Sequence, residues 1–351
     1  MQLPKTMKAA ILVEQNRPLV LAEVGLPESL ECGQVLVKVL YSGICGSQLG
    51  EISGVKGPDK YLPHLLGHEA SAEVLDVGPG VRYTKPGDLA VLHWRPGRGL
   101  ETIPPKYTWN GAPCNAGFIA TFNQFAIVAE NRLTVIPGDF DPRLAPLFGC
   151  AVTTGVGVVE NNAKLCLGES IVVFGAGGVG LNVIQAASLR SAHPIIAIDL
   201  HANRLELAAR LGATHCLQVG QGDLGAEIRK IAGPAGVDVA VDNTGDPKVI
   251  EQAYSLTKPQ GRVILVGVPR ANNNISIYSL PLHFGKVLTG SHGGECRPEL
   301  DIPRYIELHK AGKMQLTPFI TDEYPLERIN EALEDMRNGK IVGRCLIRMH
   351  G

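Results

Sequence analysis

Three short stretches carry side chains able to hold a metal ion. "YSGICGSQLG", "LLGHEAS" and "LFGCAVTTG" supply Cys45, His68 and Cys150, each with a glycine beside it at the end of an apolar segment. Taken singly, each reads as a buried structural residue, since free cysteine packs as a small hydrophobe. Taken together they offer two thiolates and one imidazole, the donor set of a catalytic zinc with an open fourth position. A fourth stretch, "VVFGAGGVGL", fits G-x-G-x-x-G at Gly175, Gly177 and Gly180. With 41 glycines among 351 residues, that pattern alone decides little. Its context strengthens it: an apolar strand leads in, a helical pattern leads out, and Asp199 closes the next strand about 20 residues on. The glycines, Gly178 included, with Val179 beside them, would let the backbone approach a pyrophosphate at the helix N-terminus. Asp199 would hold the adenosine-ribose hydroxyls and repel a 2′-phosphate, which selects NAD over NADP. Arg204 either covers the ribose or adenine or is a solvated helix residue.

These groups need a scaffold of two kinds. The first half is β-rich: "QVLVKVLYSGICG", "EASAEVLDVGPGV" and "DLAVLHW" alternate or run apolar between Gly/Pro punctuation. After Cys150 the rhythm changes. "ESIVVFGAGG", "HPIIAIDL", "VDVAVDNTG" and "GRVILVGVP" read as buried strands, separated by the helical "VGLNVIQAASLR", "ANRLELAARLGA" and "VIEQAYSLTK". Strands alternating with helices imply a parallel sheet with crossovers. Two amphipathic helices, "DIPRYIELHKAGK" and "PLERINEALEDMRNGK", precede a last strand, "GRCLIRM".

Composition narrows the function. Charged residues are 19%, hydrophobic residues 45% and the net charge is -1, so neither nucleic acid nor an anionic membrane is expected as a partner. No apolar run reaches the roughly 18 residues of a membrane span. The start "MQLPKTMKAAILVEQ" lacks a signal-peptide pattern, and the eight cysteines show no C-x-x-C pair. Cytoplasm is the expected compartment.

The ordered motifs "MKAAILVE", "GICGS", "GHE", "GCAVTTG", "GAGGVG", "VGVP" and "YPLERINEALEDMRNGK" resemble the zinc-containing medium-chain dehydrogenase/reductase family over nearly the whole chain. Within it they resemble the alcohol and glutathione-dependent formaldehyde dehydrogenase branch. The resemblance implies an α/β protein: a GroES-like β-rich catalytic domain over residues 1–152, completed by 292–351, and a Rossmann domain with a doubly wound parallel sheet over 153–291. It implies one catalytic zinc on Cys45, His68 and Cys150, with Glu69 just behind the metal. The residue-level alternative for Glu69 is a carboxylate held only by backbone donors. It further implies a zinc that lowers the pKa of an alcohol, hydride transfer between that carbon and NAD, and Ser47 as the hydroxyl that carries the proton away. Thr154, Val179 and Val268 would pack the nicotinamide, and Trp94 would wall the substrate pocket. A homodimer or homotetramer is expected, paired through the outer Rossmann strand, for which "NNISIYSLPLHF" is the β-rich candidate.

Three departures stand out. The segment 95–116 holds only Cys114, so the four-cysteine structural zinc of many members should be absent. Gln48 replaces the aspartate that often bonds the zinc-bound histidine, and Gly50 replaces the histidine that often ends the proton relay. His93 could take over that relay or simply pack. The loop residues Arg95, Arg98, Lys106, Tyr107, Trp109 and Asn110 read as a solvated surface, or else as contacts for a polar or anionic substrate. The expected substrate is a small alcohol or carbonyl compound. A polyol or sugar-derivative dehydrogenase is the nearest rival. A non-catalytic NAD-binding protein or a metal-free quinone reductase would not need the Cys45, His68 and Cys150 set.

Overall fold

The computed structural model describes residues 3–350. The chain divides into two compact units. The first comprises the chain up to Cys150, Arg297–Ala311 and the stretch from Phe319 onward, and the second comprises Ala151–Cys296 and Gly312–Pro318.

In the first unit the central strand is Gln34–Gly43, where Val35, Val37 and Val39 lie at alternate positions and enter the core. It pairs antiparallel with Glu69–Val77, Phe125–Ala129 and the C-terminal Arg344–Arg348. Glu69–Val77 in turn pairs with Leu89–His93. A second, five-stranded sheet includes Thr6–Leu12 and Val20–Gly25. Its far edge is a hairpin, Tyr107–Trp109 with Ala112–Cys114, inside the segment read from sequence as loop. Asn110 and Gly111 form its two-residue turn with φ of 50° and 75°, the conformation that favours Asn-Gly between paired strands. Tyr107 is therefore buried, with its hydroxyl accepting from Ile127 N–H at 2.8 Å, and does not belong to a solvated surface.

The second unit is a six-stranded parallel sheet. Its spatial order is His215–Gln218, Ile195–Asp199, Ile171–Phe174, Val237–Asp242, Thr257–Leu265, Val287–Gly290. Numbered by sequence within the unit, that is 3-2-1-4-5-6, the doubly wound order with its switch point beside the first strand. "IVVF" and "IIAID" are buried at every position because crossover helices cover both faces. One expectation fails here. "NNISIYSLPLHF" contains no strand: Leu280–Phe284 is a 3-10 turn with Pro281 near its start, ending at Gly285 with φ 97°. Proline fixes φ and lacks the N–H a ladder needs. The outer strand is Val287–Gly290, just beyond.

Candidate metal centre and nucleotide site

Cys45 has an extended backbone and caps the helix Gly46–Ile52, directly after the central strand. His68 stands between the short strand His64–Leu65 and Glu69–Val77. Gly67 before it has φ +93°, and a Cβ there would fall 2.2 Å from Thr121 Oγ1, so only glycine passes this point. Cys150 closes the 3-10 turn Ala145–Gly149. The three ligand atoms lie within 4.8 Å of one another. Zn–S bonds of about 2.3 Å and Zn–N bonds of about 2.0 Å put tetrahedral ligand atoms roughly 3.5–3.8 Å apart. Small side-chain adjustments therefore suffice to close this cluster on an ion. His68 Nε2 is buried without a hydrogen-bond partner, which in a folded interior signals a group to be supplied. The residues fit zinc.

The electrostatics draw Cys45 toward the metal-binding thiolate and hold Cys150 and His68 toward their protonated forms. A hydrogen bond from Cys150 draws the Cys45 thiol well below its ordinary range against the effect of burial, and Arg344 and His68 add to it. The same contact, together with burial, pushes Cys150 well up. Burial disfavours a charged His68, but the nearby Cys45, with Glu69, raises it above its usual value. A thiolate is the form of cysteine that binds metal.

Glu69 opens its strand fully buried, with Oε1 3.4 Å from Arg344 Nη1. Arg344 is 3% exposed and also donates to the Ile44 carbonyl at 2.9 Å. Burial opposes its charge, while Glu69, Cys45 and Cys150 hold it firmly protonated. The backbone-only reading of Glu69 thus gives way to an ion pair. Sequence reasoning passed over Arg344, and its one signal was a charged residue opening the apolar "RCLIRM".

Ser47, in the first turn after Cys45, has a buried hydroxyl with no hydrogen-bond partner. His93 is different. Its Nδ1 faces the Arg95 carbonyl at 2.7 Å and its Nε2 faces Thr134 Oγ1 at 2.9 Å, so both nitrogens are engaged. Burial pushes its pKa down to about 4. Trp94 is half-buried just past the strand end, with the Arg95 guanidinium 5.9 Å from its ring centre and its carbonyl accepting from Arg132. The following segment is tied down by the buried Glu130 carboxylate, which accepts from Arg82 N–H, Tyr83 N–H and Leu100 N–H.

In the second unit the helix Gly178–Leu189 starts at the end of Ile171–Phe174, with Gly177 as its cap. A Cβ at Gly180 would lie 1.9 Å from the Gly175 carbonyl, so this helix can meet the strand only through glycine. Gly175, Gly177, Gly178 and Val179 thus form one turn whose backbone is open to an anion. Asp199 is buried at the adjacent strand end, its Oδ2 accepting from Ala176 N–H at 2.8 Å and its Oδ1 from His201 N–H at 2.9 Å. Each carboxylate oxygen keeps a second lone pair for a ribose hydroxyl. Arg204 Nη1 is 3.8 Å from Asp199 Oδ2, with its side chain 21% exposed, so it covers the carboxylate rather than standing in solvent. Thr154 is buried in the helix Ala151–Gly157, and Val268 lies half-exposed in the turn after Thr257–Leu265. This constellation fits NAD.

The comparisons agree with this geometry. The family model "Alcohol dehydrogenase GroES-like domain" matches residues 31–138, and "Zinc-binding dehydrogenase" matches 178–311. An S-(hydroxymethyl)glutathione dehydrogenase from Haemophilus influenzae is 32% identical, covering 97% of each chain. Two crystal structures superpose with a TM-score of 0.89 at 28% identity over 99% of this chain. They are an alcohol dehydrogenase zinc-binding domain protein from Burkholderia ambifaria, 99% covered, and a benzyl alcohol dehydrogenase from Acinetobacter calcoaceticus, 100% covered. With two thiols and an imidazole gathered in a GroES-like unit and a glycine turn facing a buried aspartate, this chain belongs to the zinc-containing medium-chain dehydrogenase/reductase family.

Proposed function

We infer that the protein is a zinc-dependent dehydrogenase that transfers hydride between a small alcohol and NAD. The observation that carries this reading is the convergence of Cys45, His68 and Cys150 with an unpartnered His68 Nε2, in a chain that also holds the glycine turn and Asp199. We assign the catalytic role to the first unit and cofactor binding to the second. One zinc per chain on those three residues would polarise the substrate oxygen, and NAD would take up the hydride. The chain's own residues do the rest. Ser47 Oγ, free of internal partners, accepts the hydroxyl proton and passes it on. With both His93 nitrogens engaged and Gly50 lacking a side chain, neither position offers a histidine to take the proton further. Glu69, paired with Arg344, stabilises the metal electrostatically from within the protein. Asp199 would select NAD, and Thr154, Val179 and Val268 would hold the nicotinamide.

Assembly and compartment follow from surface and composition. Among the described residues no helix is long and apolar enough to cross a membrane. Tyr278, Leu280, Phe284 and Val287 are exposed at the outer edge of the second unit's sheet. An apolar sheet edge of this kind supports two-fold pairing into a dimer, alone or within a tetramer. Eight free cysteines support the cytoplasm.

The test is a panel of primary alcohols, vicinal diols and S-(hydroxymethyl)glutathione, followed by the absorbance of reduced nicotinamide. NAD reduction that a zinc chelator abolishes is expected. No reduction with any member by zinc-replete protein would overturn the reading.

A further inference from the structure

Gln48 sits 1% exposed in the helix that Cys45 caps, and its side chain meets two groups. Its Oε1 accepts from Cys45 N–H at 2.8 Å, and its Nε2 lies 2.5 Å from His68 Nδ1. An amide has one acceptor end and one donor end. A histidine that gives Nε2 to a metal carries its proton on Nδ1 and needs an acceptor there. Two donors, Cys45 N–H and His68 Nδ1–H, then converge on a side chain with a single oxygen. Exchanging the two ends of the amide does not resolve this, because the NH2 group then faces Cys45 N–H. The conflict is therefore independent of which way the amide is drawn.

We propose that Gln48 is a positioning residue that loosens the hold of this site on zinc. Its amide is fully satisfied only when His68 carries the proton on Nε2, the nitrogen that faces the two thiols. Binding zinc moves that proton to Nδ1 and, with the amide held where it is, leaves one of the two donors facing the NH2 group rather than the oxygen. A carboxylate of the same length would satisfy both donors at once. The proposal rests on the reading of Cys45, His68 and Cys150 as zinc ligands.

The test compares zinc affinity, by competition with a chromophoric chelator, in the full-length protein and in Gln48→Glu and Gln48→Met. Changes to groups that orient a metal-bound histidine alter affinity by about 10–100-fold. Gln48→Glu should tighten zinc within that range. Gln48→Met adds no charge and removes the opposing NH2, so it should also tighten zinc, by a smaller factor. A merely structural role would weaken zinc in Gln48→Met, and that result overturns the proposal, as does a Gln48→Glu affinity no tighter than the parent's. The nitrogen NMR spectrum of His68, taken at a pH where the imidazole is neutral, gives a second readout: its proton should lie on Nε2 in zinc-stripped protein and on Nδ1 after zinc is added. A proton on Nδ1 in both states would also overturn the proposal. Failure of all three proteins to bind zinc would instead refute the metal reading, and the proposal with it.

Discussion

The metal centre is assembled from side chains brought together from distant parts of the sequence, whereas the nucleotide site is mostly one turn of backbone. At the first, Cys45, His68, Cys150, Glu69 and Arg344 are ionisable groups in or near the interior, and Cys45, His68, Cys150 and Arg344 are tuned by charges within the set. At the second, Gly175 to Gly180 bring no charge, and the fit depends on the absence of side-chain volume. Asp199 is the carboxylate there, held by two backbone N–H donors and covered by Arg204. The difference teaches where each site is vulnerable. Removing a charge from the first strands its partners in the interior, while removing the charge from the second only retunes ligand choice.

The largest expected effect follows from that asymmetry. Arg344→Met leaves Glu69 buried without its ion-pair partner, a change that destabilises folded proteins by about 3–5 kcal/mol. Urea unfolding should show a loss of that size, and Arg344→Met combined with Glu69→Gln should recover much of it. If Arg344→Met unfolds at the parent's urea midpoint, the buried charges are not interdependent. Ser47→Ala is next. Acid–base assistance is worth about 10²–10⁴-fold, so kcat should fall at least about tenfold with zinc and NAD binding intact. An unchanged kcat, with a deuterium isotope effect showing hydride transfer to be rate-limiting, would rule out the serine.

At the nucleotide site, Asp199→Ala should narrow the preference for NAD over NADP by about tenfold or more, since a hydrogen bond to a charged group is worth about 1.5–3 kcal/mol. The fold should survive. Equal catalytic efficiency with both cofactors in the unsubstituted protein would contradict the role of Asp199.

The smallest effect concerns His93, whose pKa is pushed down from the ordinary 6.5 to about 4 by burial. Between those values the unfolded chain binds a proton that the folded chain does not, so stability is full above about pH 6.5 and falls as pH drops toward 4. The contribution is at most roughly 3 kcal/mol. His93→Gln should flatten this part of the stability–pH curve without moving the pH profile of kcat. A shifted kcat profile would restore His93 to the proton path.

The same contrast explains what could be read from sequence. The glycine turn is contiguous and flanked by a strand and a helix, so its pattern stood out with Asp199 at the right spacing. Cys45, His68 and Cys150 became visible only as a set, because each alone looks like core packing. Arg344 stayed hidden, since an arginine opening an apolar strand looks like an ordinary strand end and its partner Glu69 lies far away in sequence. The competition at Gln48 was hidden too, because it depends on the Cys45 backbone N–H, which no residue pattern reveals. Asn110-Gly111 was a legible hairpin signal inside a segment read as loop, where surrounding Gly and Pro masked two short strands. "NNISIYSLPLHF" failed for the opposite reason: its apolar residues promised a strand, but Pro281 and Gly285 shape a 3-10 turn.

The central claim is that one zinc is held by side chains converging on His68. Elemental analysis of the dialysed protein beside His68→Ala tests it most directly. One zinc per chain is expected in the parent and none in His68→Ala, with both proteins folded by circular dichroism. Two zincs per parent chain, or zinc retained in full by His68→Ala, would contradict it.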